Sequence, residues 1–529
     1  MYLRQTRTEN GEVRGFPGTN ARITVYKGIP FAADTGYENR WRAPQPAKDW
    51  EGVRDCYEFG PIPMQRIPGR DPNAFYAKEW HVDPEVPMGE DCLRVNIWTP
   101  AHTKDDKLPV MIWIFGGGLM EGYPHEMEFD GERIASRGVI LCSIGYRLNV
   151  FGQLCHPELT ATQPDAPANF CFLDQAYGIA WVKRNIANFG GDPENITIFG
   201  QSAGGASVLT HMCASQSEGL FQKCIVESFN PVNPDVPRTA AFPAHTFADV
   251  EAQGVKFFEM LGVKTLEEAR KLDAQFIMDT YNKSGLFIGN VTDPVYNKGN
   301  LADELLANKF HDVQFIIGNT VDEFTVGPSV DPMAQYRNAA DGDVAPVMPD
   351  FDKEEEVMKW IDEHYGEYAD GFKEIVKADP RPAKVAATVS RVAIGNDILV
   401  AELAKLGRSF YFYNFDPEIP GDDAGSFHSS DLWFEFETLA RCWRPWDGHH
   451  YDLARKMCNY WTNFAKTGDP NGNDADGTPM PHWDPVTPEK PYPMQFFDTI
   501  QMATGPRSPQ DKYVFDIYFK EKEKKTQKR

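Results

Sequence analysis

The chain contains 529 residues, of which 42% are hydrophobic and 25% are charged. This composition excludes a disordered chain, because such chains lack the apolar side chains that offset the entropy of ordering. The net charge of −24 disfavours nucleic acid and anionic membranes as partners, since both repel an acidic protein at long range.

Other global features indicate the compartment. No run of about 18 apolar residues occurs, so we expect no membrane-spanning helix. The first residues lack the apolar segment of a signal peptide. The nine cysteines are odd in number and irregularly spaced, which favours reduced thiols. We therefore expect a cytoplasmic protein. We also expect no metal or cofactor, because no His or Cys cluster has the spacing of a metal site.

Short β-rich runs alternate with helical patterns, which predicts an α/β fold with a large, mostly parallel central sheet covered by helices on both faces. The run Val110–Phe115 is apolar without alternation, as is typical of a strand buried on both faces. Further strands are predicted at Arg22–Lys27, Val139–Gly145, Ile196–Gly200, Lys223–Ser228, Val313–Gly318, Ser409–Phe415 and Tyr513–Phe519. Two stretches, about 231–308 and 348–406, have the pattern of helical insertions that cover the upper edge of the sheet.

A candidate nucleophile lies in the segment Ile196–Val208, where a short apolar strand runs through Gly-Gln-Ser-Ala-Gly into a small-residue helix. This context predicts that Ser202 occupies a sharp strand-to-helix turn, with its hydroxyl projecting above the sheet. Gly200 and Gly204 flank the serine because a Cβ atom would clash across such a turn. The alternative is a glycine-rich turn with a bystander serine.

Three glycines, Gly116 to Gly118, follow the most apolar strand. Attack by a serine creates an oxyanion that needs preorganised N–H donors, and glycines leave those donors unobstructed. We predict that the donors are the backbone N–H groups of Gly117, Gly118 and Ala203. A phosphate loop is disfavoured because neither nucleotide-binding glycine motif is present.

The serine also needs a base, and the base needs an acid that orients it. His428 follows a predicted strand and a glycine-bearing loop, whereas His449 and His450 lie in a polar turn that we expect to face solvent. Asp322 and Glu323 both follow the strand near residue 318, and spacing alone does not choose between them.

Several blocks of the chain resemble type-B carboxylesterases, the group that includes para-nitrobenzyl esterases, liver carboxylesterases and cholinesterases. The serine signature is similar over Phe189–Gly204, and a second signature is similar over Glu90–Trp98. Further similar blocks lie at Tyr26–Ala32, Tyr146–Asn149, Gly219–Lys223 and Gly468–Asn471.

The resemblance implies an α/β-hydrolase fold with a Ser-Glu-His triad. The acid then falls on Glu323, the base on His428 and the oxyanion donors on Gly117, Gly118 and Ala203. Ser228 matches a serine that supports the triad. Phe229 departs from the family, which usually has Gly there, and we expect it to narrow the pocket.

Three further residues near the predicted site, Phe115, Trp433 and Asp431, can each be interpreted as functional or as structural. Phe115 and Trp433 are candidates for pocket walls, although aromatic residues near a site are more often ordinary core. Asp431 is a candidate hydrogen-bond partner beneath the triad, or the N-cap of a helix that starts near Leu432.

These residues together predict a serine carboxylesterase that acts on small-molecule esters through an acyl-enzyme. Length alone suggests three domains, but one site that draws on residues 117 to 428 favours a single catalytic domain over 1–529. We expect a monomer or a small homo-oligomer. The alternatives are a non-catalytic adhesion module of the same fold and an amidase or carbamate hydrolase with the same triad.

Overall fold

The computed structural model describes residues 2–66, 75–80, 85–237, 246–286, 288–326 and 353–527. The chain divides into two compact units. The first unit comprises residues 1–227, 245–315 and 432–480, and the second comprises 228–244, 316–431 and 481–529.

The first unit is built on two sets of paired strands. Its strands are β1 (Gln5–Thr8), β2 (Gly11–Arg14), β3 (Phe16–Pro17), β4 (Thr24–Pro30), β5 (Val53–Asp55), β6 (Arg94–Thr99), β7 (Leu108–Ile114), β8 (Ile140–Ile144), β9 (Gly191–Gln201) and β10 (Lys223–Glu227). Strands β1, β2 and β5 form a small sheet, and the others follow the order β3-β4-β6-β8-β7-β9-β10. The pairs β8·β7, β7·β9 and β9·β10 are parallel, whereas β3·β4, β4·β6 and β6·β8 are antiparallel.

Twelve α-helices lie in the described part of the first unit. They are α1 (Phe75–Trp80), α2 (Glu132–Ala135), α3 (Asn149–Gln153), α4 (Pro157–Thr162), α5 (Phe170–Asn185), α6 (Ala203–Cys213), α7 (Phe247–Leu261), α8 (Leu266–Arg270), α9 (Ala274–Ser284), α10 (Leu301–Leu306), α15 (Leu432–Glu435) and α16 (Gly448–Thr467). The central strand β7 is fully buried from Val110 onward, as its uninterrupted apolar sequence predicts.

The second unit contains the end of β11 (Gln314–Thr320), followed by β12 (Tyr411–Phe415), β13 (Met494–Phe496) and β14 (Ile500–Met502). The pairs β11·β12 and β12·β13 are parallel, and β13·β14 is antiparallel. Its helices are α11 (Glu354–Tyr365), α12 (Ala369–Ala378), α13 (Ala383–Ala387), α14 (Arg391–Lys405) and α17 (Pro509–Gln527).

Seven of the eight predicted strands overlap an observed strand, and one is wrong. The run Tyr513–Phe519 lies inside helix α17. The buried residues of that helix are Gln510, Val514 and Ile517, whose spacing of four and three residues marks one helical face. The aromatic and β-branched residues favoured a strand, but the charged residues on both sides of the run extend the helical pattern.

The predicted helical insertions can be compared with the structure in part. Helices α7 to α10 lie within 231–308, and α11 to α14 lie within 348–406. Residues 238–245, 287 and 348–352 of these stretches lie outside the described residues. Among the helices that the structure describes, none is long and apolar enough to cross a bilayer.

Candidate active site

Ser202 lies at the junction of β9 and α6, where the serine signature places it. Its backbone has φ 58° and ψ −121°, a combination that residues other than glycine rarely adopt. A hydrogen bond to the neighbouring strand β10 holds the turn in place, because the Ser202 N–H donates to the carbonyl of Glu227 at 2.9 Å. The sharp strand-to-helix turn predicted from the motif is therefore present at Ser202.

The two flanking glycines fill positions with no room for a side chain. A Cβ atom on Gly200 would lie 2.5 Å from the carbonyl oxygen of Ile114, and one on Gly204 would lie 2.0 Å from the same oxygen. Strand β7 therefore passes so close to the turn that only glycine fits on either side of the serine.

The glycine loop after β7 lies beside the serine. A Cβ atom on Gly116 would lie 3.3 Å from Cβ of Ser202. Gly117 and Gly118 have φ values of 97° and 65°. Across the described residues, neither of their N–H groups donates to a protein acceptor. Ala203 is the first residue of α6, so its N–H has no carbonyl one turn before it.

In the second unit, a histidine and a glutamate form a buried pair. His428 Nδ1 hydrogen-bonds to Glu323 Oε2, and the two side chains are 7% and 1% exposed. The backbones are joined as well, because the His428 N–H donates to the Glu323 carbonyl at 2.9 Å. The ring of Phe324 covers the imidazole at a centroid distance of 4.0 Å.

Asp322, the other acid that spacing had left open, points to a different partner. Its Oδ2 accepts the Ser426 N–H at 2.9 Å, and the Ser426 hydroxyl donates to Asp416 Oδ1 at 2.8 Å. Burial raises the pKa of Asp322, and burial next to Asp322 raises the pKa of Asp416 to about 7. The carboxylate that contacts His428 is that of Glu323.

Asp431 lies fully buried near this pair. The Tyr413 hydroxyl donates to its Oδ2 at 2.9 Å, and its Oδ1 has no hydrogen-bond partner among the described residues. Burial raises the pKa of Asp431 to about 7, and the charge of Glu323 adds to the increase. Helix α15 does begin at Leu432, but the hydrogen bond that the structure describes for the Asp431 side chain goes to Tyr413.

The remaining candidates lie in varied surroundings. Ser228 has φ 50°, donates its N–H to the Gly318 carbonyl at 2.8 Å and is 2% exposed, and Phe229 beside it is half-buried. Phe115 is fully buried and stacks on Tyr146 at 4.1 Å. Trp433 is fully buried, 5.5 Å from the ring of Trp80. Both Phe115 and Trp433 therefore have the burial of core residues.

The prediction that His449 and His450 face solvent is half wrong. His449 is exposed, but His450 is only 3% exposed, because its Nδ1 accepts the Asp447 N–H and caps helix α16. Asp447, His449 and His450 place ligand atoms within 4.8 Å of one another, a spacing that could hold a metal ion. Helix capping already accounts for the contacts of Asp447 and His450.

The structure thus groups the sequence-predicted residues by unit. Ser202, Ala203, Gly117 and Gly118 lie together in the first unit. Glu323, His428, Ser228 and Asp431 belong to the second. Sequence reasoning missed Phe324, Tyr413, Asp416 and Ser426. Of these, only Phe324 carried a signal, because it directly follows Glu323.

Comparisons with known proteins show the family of the chain. The model of the carboxylesterase family matches residues 3–514. A cocaine esterase of Oryctolagus cuniculus is 29% identical over 510 residues, covering 90% of this chain and 89% of its own. A pyrethroid hydrolase of Rattus norvegicus is also 29% identical over 510 residues, covering 92% and 85%.

A solved structure extends the agreement to three dimensions. The crystal structure of a carboxylesterase from Geobacillus stearothermophilus has a TM-score of 0.75 at 28% identity, covering 97% of this chain and 100% of its own. The predicted α/β-hydrolase fold is confirmed by this similarity. The chain therefore belongs to the carboxylesterase family and is a carboxylic ester hydrolase.

Proposed function

We propose that this hydrolase works through an acyl-enzyme formed on Ser202, with His428 as the base and Glu323 as the acid that orients it. The observation that carries the proposal is the backbone of Ser202, held at φ 58° and ψ −121° beside the Gly116–Gly118 loop. A non-glycine residue keeps such a conformation only where the surrounding structure enforces it. This conformation, beside N–H groups that have no protein acceptor in the described part of the chain, supports the assignment of Ser202 as the nucleophile.

In the proposed reaction, Ser202 Oγ attacks the ester carbonyl carbon while His428 Nε2 takes the hydroxyl proton. Glu323 keeps the Nδ1–H of His428 oriented and stabilises the imidazolium that forms. The negative oxygen of the tetrahedral intermediate accepts hydrogen bonds from Gly117, Gly118 and Ala203. The C–O bond to the alcohol then breaks, and His428 returns the proton to the leaving oxygen.

Water completes the cycle. It attacks the acyl carbon, gives a proton to His428, and the second tetrahedral intermediate releases the carboxylic acid as Ser202 Oγ takes the proton back. The proposal requires that His428 Nε2 reach Ser202 Oγ during both halves of the reaction.

Labelling with an alkylfluorophosphonate tests the nucleophile, because only an activated serine is phosphonylated. We expect the wild-type chain to be labelled on the peptide that contains Ser202, and Ser202→Ala to remain unlabelled with kcat lowered ~10⁴-fold or more. Ser217→Ala, which alters a buried serine outside the site, is the matched control and should keep both properties. Appreciable para-nitrophenyl acetate hydrolysis by Ser202→Ala would overturn the proposal.

The substrates we propose are neutral or cationic esters of small molecules. The net charge of −24 repels polyanions, and the relatives named above are a cocaine esterase and a pyrethroid hydrolase. A panel of para-nitrophenyl esters that varies acyl length and charge tests this preference. A higher kcat/KM for dianionic than for neutral esters of equal size would contradict it.

We also propose a cytoplasmic enzyme that is a monomer or a small homo-oligomer. All nine cysteines are unpaired in the structure, which suits a reducing compartment. Cell fractionation and analytical ultracentrifugation of the native chain would check the two points.

A further inference from the structure

Three buried amide side chains surround the loop that carries Gly117 and Gly118. They belong to Gln65, Asn149 and Gln153, which are 1%, 0% and 2% exposed. Buried amides normally satisfy their hydrogen bonds inside the protein, so their partners show what they hold in place.

Gln65 binds both backbone groups of one residue, Gly122, at the end of the loop. Its Oε1 accepts the Gly122 N–H at 2.9 Å, and its Nε2 donates to the Gly122 carbonyl at 3.0 Å. Its Nε2 also donates to the Pro63 carbonyl at 3.1 Å. Gly122 has φ 102°, which only glycine adopts easily, so this end of the loop has a defined conformation.

The other two amides come from one short helix. Asn149 and Gln153 are four residues apart on α3, so they lie on one face. Gln153 Nε2 donates to the Leu119 carbonyl at 3.0 Å, and the Asn149 backbone N–H donates to the same oxygen at 2.8 Å. Asn149 Nδ2 donates to the Met120 carbonyl at 3.2 Å.

The three amides therefore take up the carbonyls of residues 119, 120 and 122. The Gly117 carbonyl is used as well, because it accepts the N–H groups of Met120 and Glu121 at 2.9 and 3.1 Å. The N–H groups of Gly117 and Gly118 are left without protein acceptors in the described part of the chain. The Gly117 carbonyl and the Gly118 N–H belong to one planar peptide unit, so the hydrogen bonds that hold this carbonyl also fix the direction of that N–H. The three amides hold the peptide units that follow directly in the loop.

We propose that Gln65, Asn149 and Gln153 are positioning residues that preorganise the oxyanion donors of Gly117 and Gly118. This inference rests on the proposed function, since it assigns a purpose to the donors named there. The reason for a buried clamp is energetic: donors that are already oriented stabilise the transition state without reorganisation. If these donors move by a fraction of an ångström, the enzyme binds the transition state less tightly, whereas its binding of the substrate changes less.

The experiment replaces Gln65 with methionine, which fills a similar volume but cannot bind Gly122. Activity is measured with para-nitrophenyl butyrate and expressed per serine, after complete titration with an alkylfluorophosphonate. We expect kcat to fall at least ~10-fold with KM changed less than about twofold. The inhibition constant of a trifluoromethyl ketone, whose adduct places an oxyanion on the donors, should rise by the same factor as kcat falls.

Asn185→Leu is the matched control. Asn185 is also 1% exposed and also binds backbone, since it accepts the Glu9 N–H at 2.8 Å and donates to the Trp181 carbonyl at 2.9 Å. It lies outside the site, so its loss should lower stability while kcat per titrated serine stays at the wild-type value. If Gln65→Met and Asn185→Leu lose kcat equally, the clamp is structural only and the proposal is overturned.

Gln153→Met is a second variant that tests the same proposal if Gln65→Met does not fold. The Leu119 carbonyl retains the Asn149 N–H there, so we expect a smaller loss, about threefold in kcat, again with KM unchanged. Wild-type kcat and ketone affinity in the folded variants would overturn the inference. Such a result would leave the proposed function standing, because that function is tested separately by the labelling and activity of Ser202→Ala.

Discussion

The two units carry chemically different kinds of parts. In the first, the candidate groups are made by the backbone: a strained serine, two glycines with no room for a Cβ atom and a glycine loop with open N–H groups. In the second, the candidate groups are side chains: the buried pair of His428 and Glu323. Three aspartates lie in the same unit, Asp322, Asp416 and Asp431, and burial raises the pKa of each of these three.

This difference teaches which perturbations each unit should resist. The candidate groups of the first unit are backbone donors and glycine contacts, which carry no titratable side chain, so we expect these groups to respond to added atoms and little to pH. Buried carboxyl groups respond to the removal of charge and to pH, because ionisation costs desolvation. The four predictions below test this contrast, from the largest expected effect to the smallest.

Gly204→Ala should have the largest effect, because its Cβ atom would lie 2.0 Å from the Ile114 carbonyl oxygen. We expect a loss of at least about 3 kcal/mol in the free energy of unfolding, together with most of the activity. Gly448→Ala is the control, since among the described residues beyond its chain neighbours and its own helix backbone, no atom lies within 4 Å of the added group. Denaturant unfolding measures both, and a Gly204→Ala protein of wild-type stability would break the steric half of the contrast.

Glu323→Gln should lower kcat about 10²- to 10⁴-fold with little change in stability, because the amide keeps the shape but not the charge beside His428. Asp322→Asn is the matched control, one residue away and bonded to Ser426 instead. Steady-state kinetics of the two variants decides between the acids. Equal losses would mean that the charge of the cluster, and not the Glu323 contact, supports the base.

Asp431→Asn should change how stability depends on pH. The folded state holds the Asp431 proton up to a pH of about 7, whereas an ordinary Asp loses it near 3.8. The wild-type protein therefore loses stability from this group as the pH rises from about 4 to about 7, by up to about 4 kcal/mol. The variant should be more stable than wild type at pH 8 and similar near pH 4. Parallel stability curves from urea unfolding would contradict this.

Ser426→Ala should have the smallest effect. It removes the hydroxyl that binds Asp416 and that accepts the Asp322 N–H at 3.2 Å, which we expect to cost about 1–2 kcal/mol. Activity should change little, because the Glu323 N–H donates to the backbone carbonyl of Ser426, which the variant keeps. Thermal unfolding and kcat, measured on the same preparation, check that stability falls while activity is kept. A large fall in kcat together with the loss of stability would refute the prediction.

Sequence reasoning was most accurate where the cause is local. The serine turn depends on residues 200 to 204 and on the strand before them, all of which are adjacent in the chain. It was least accurate where a periodic pattern had two readings, as at Tyr513–Phe519, which lies in a helix because its buried residues follow helical spacing. His450 was misjudged because its capping role depends on the backbone geometry of a helix start.

The sequence by itself determined the family, the α/β-hydrolase fold and the positions of the serine and the glycine loop. The family and the α/β-hydrolase fold came from the resemblance of blocks along the chain. The serine and the glycine loop follow from backbone sterics and hydrophobic pattern, which short segments encode. Spacing left Asp322 and Glu323 open and the family resemblance chose Glu323, whose contact with His428 the structure describes. Only the tertiary structure decided that Tyr413 binds Asp431 and that three amides hold the glycine loop. Those contacts join residues up to 105 positions apart, so packing and not local pattern selects them.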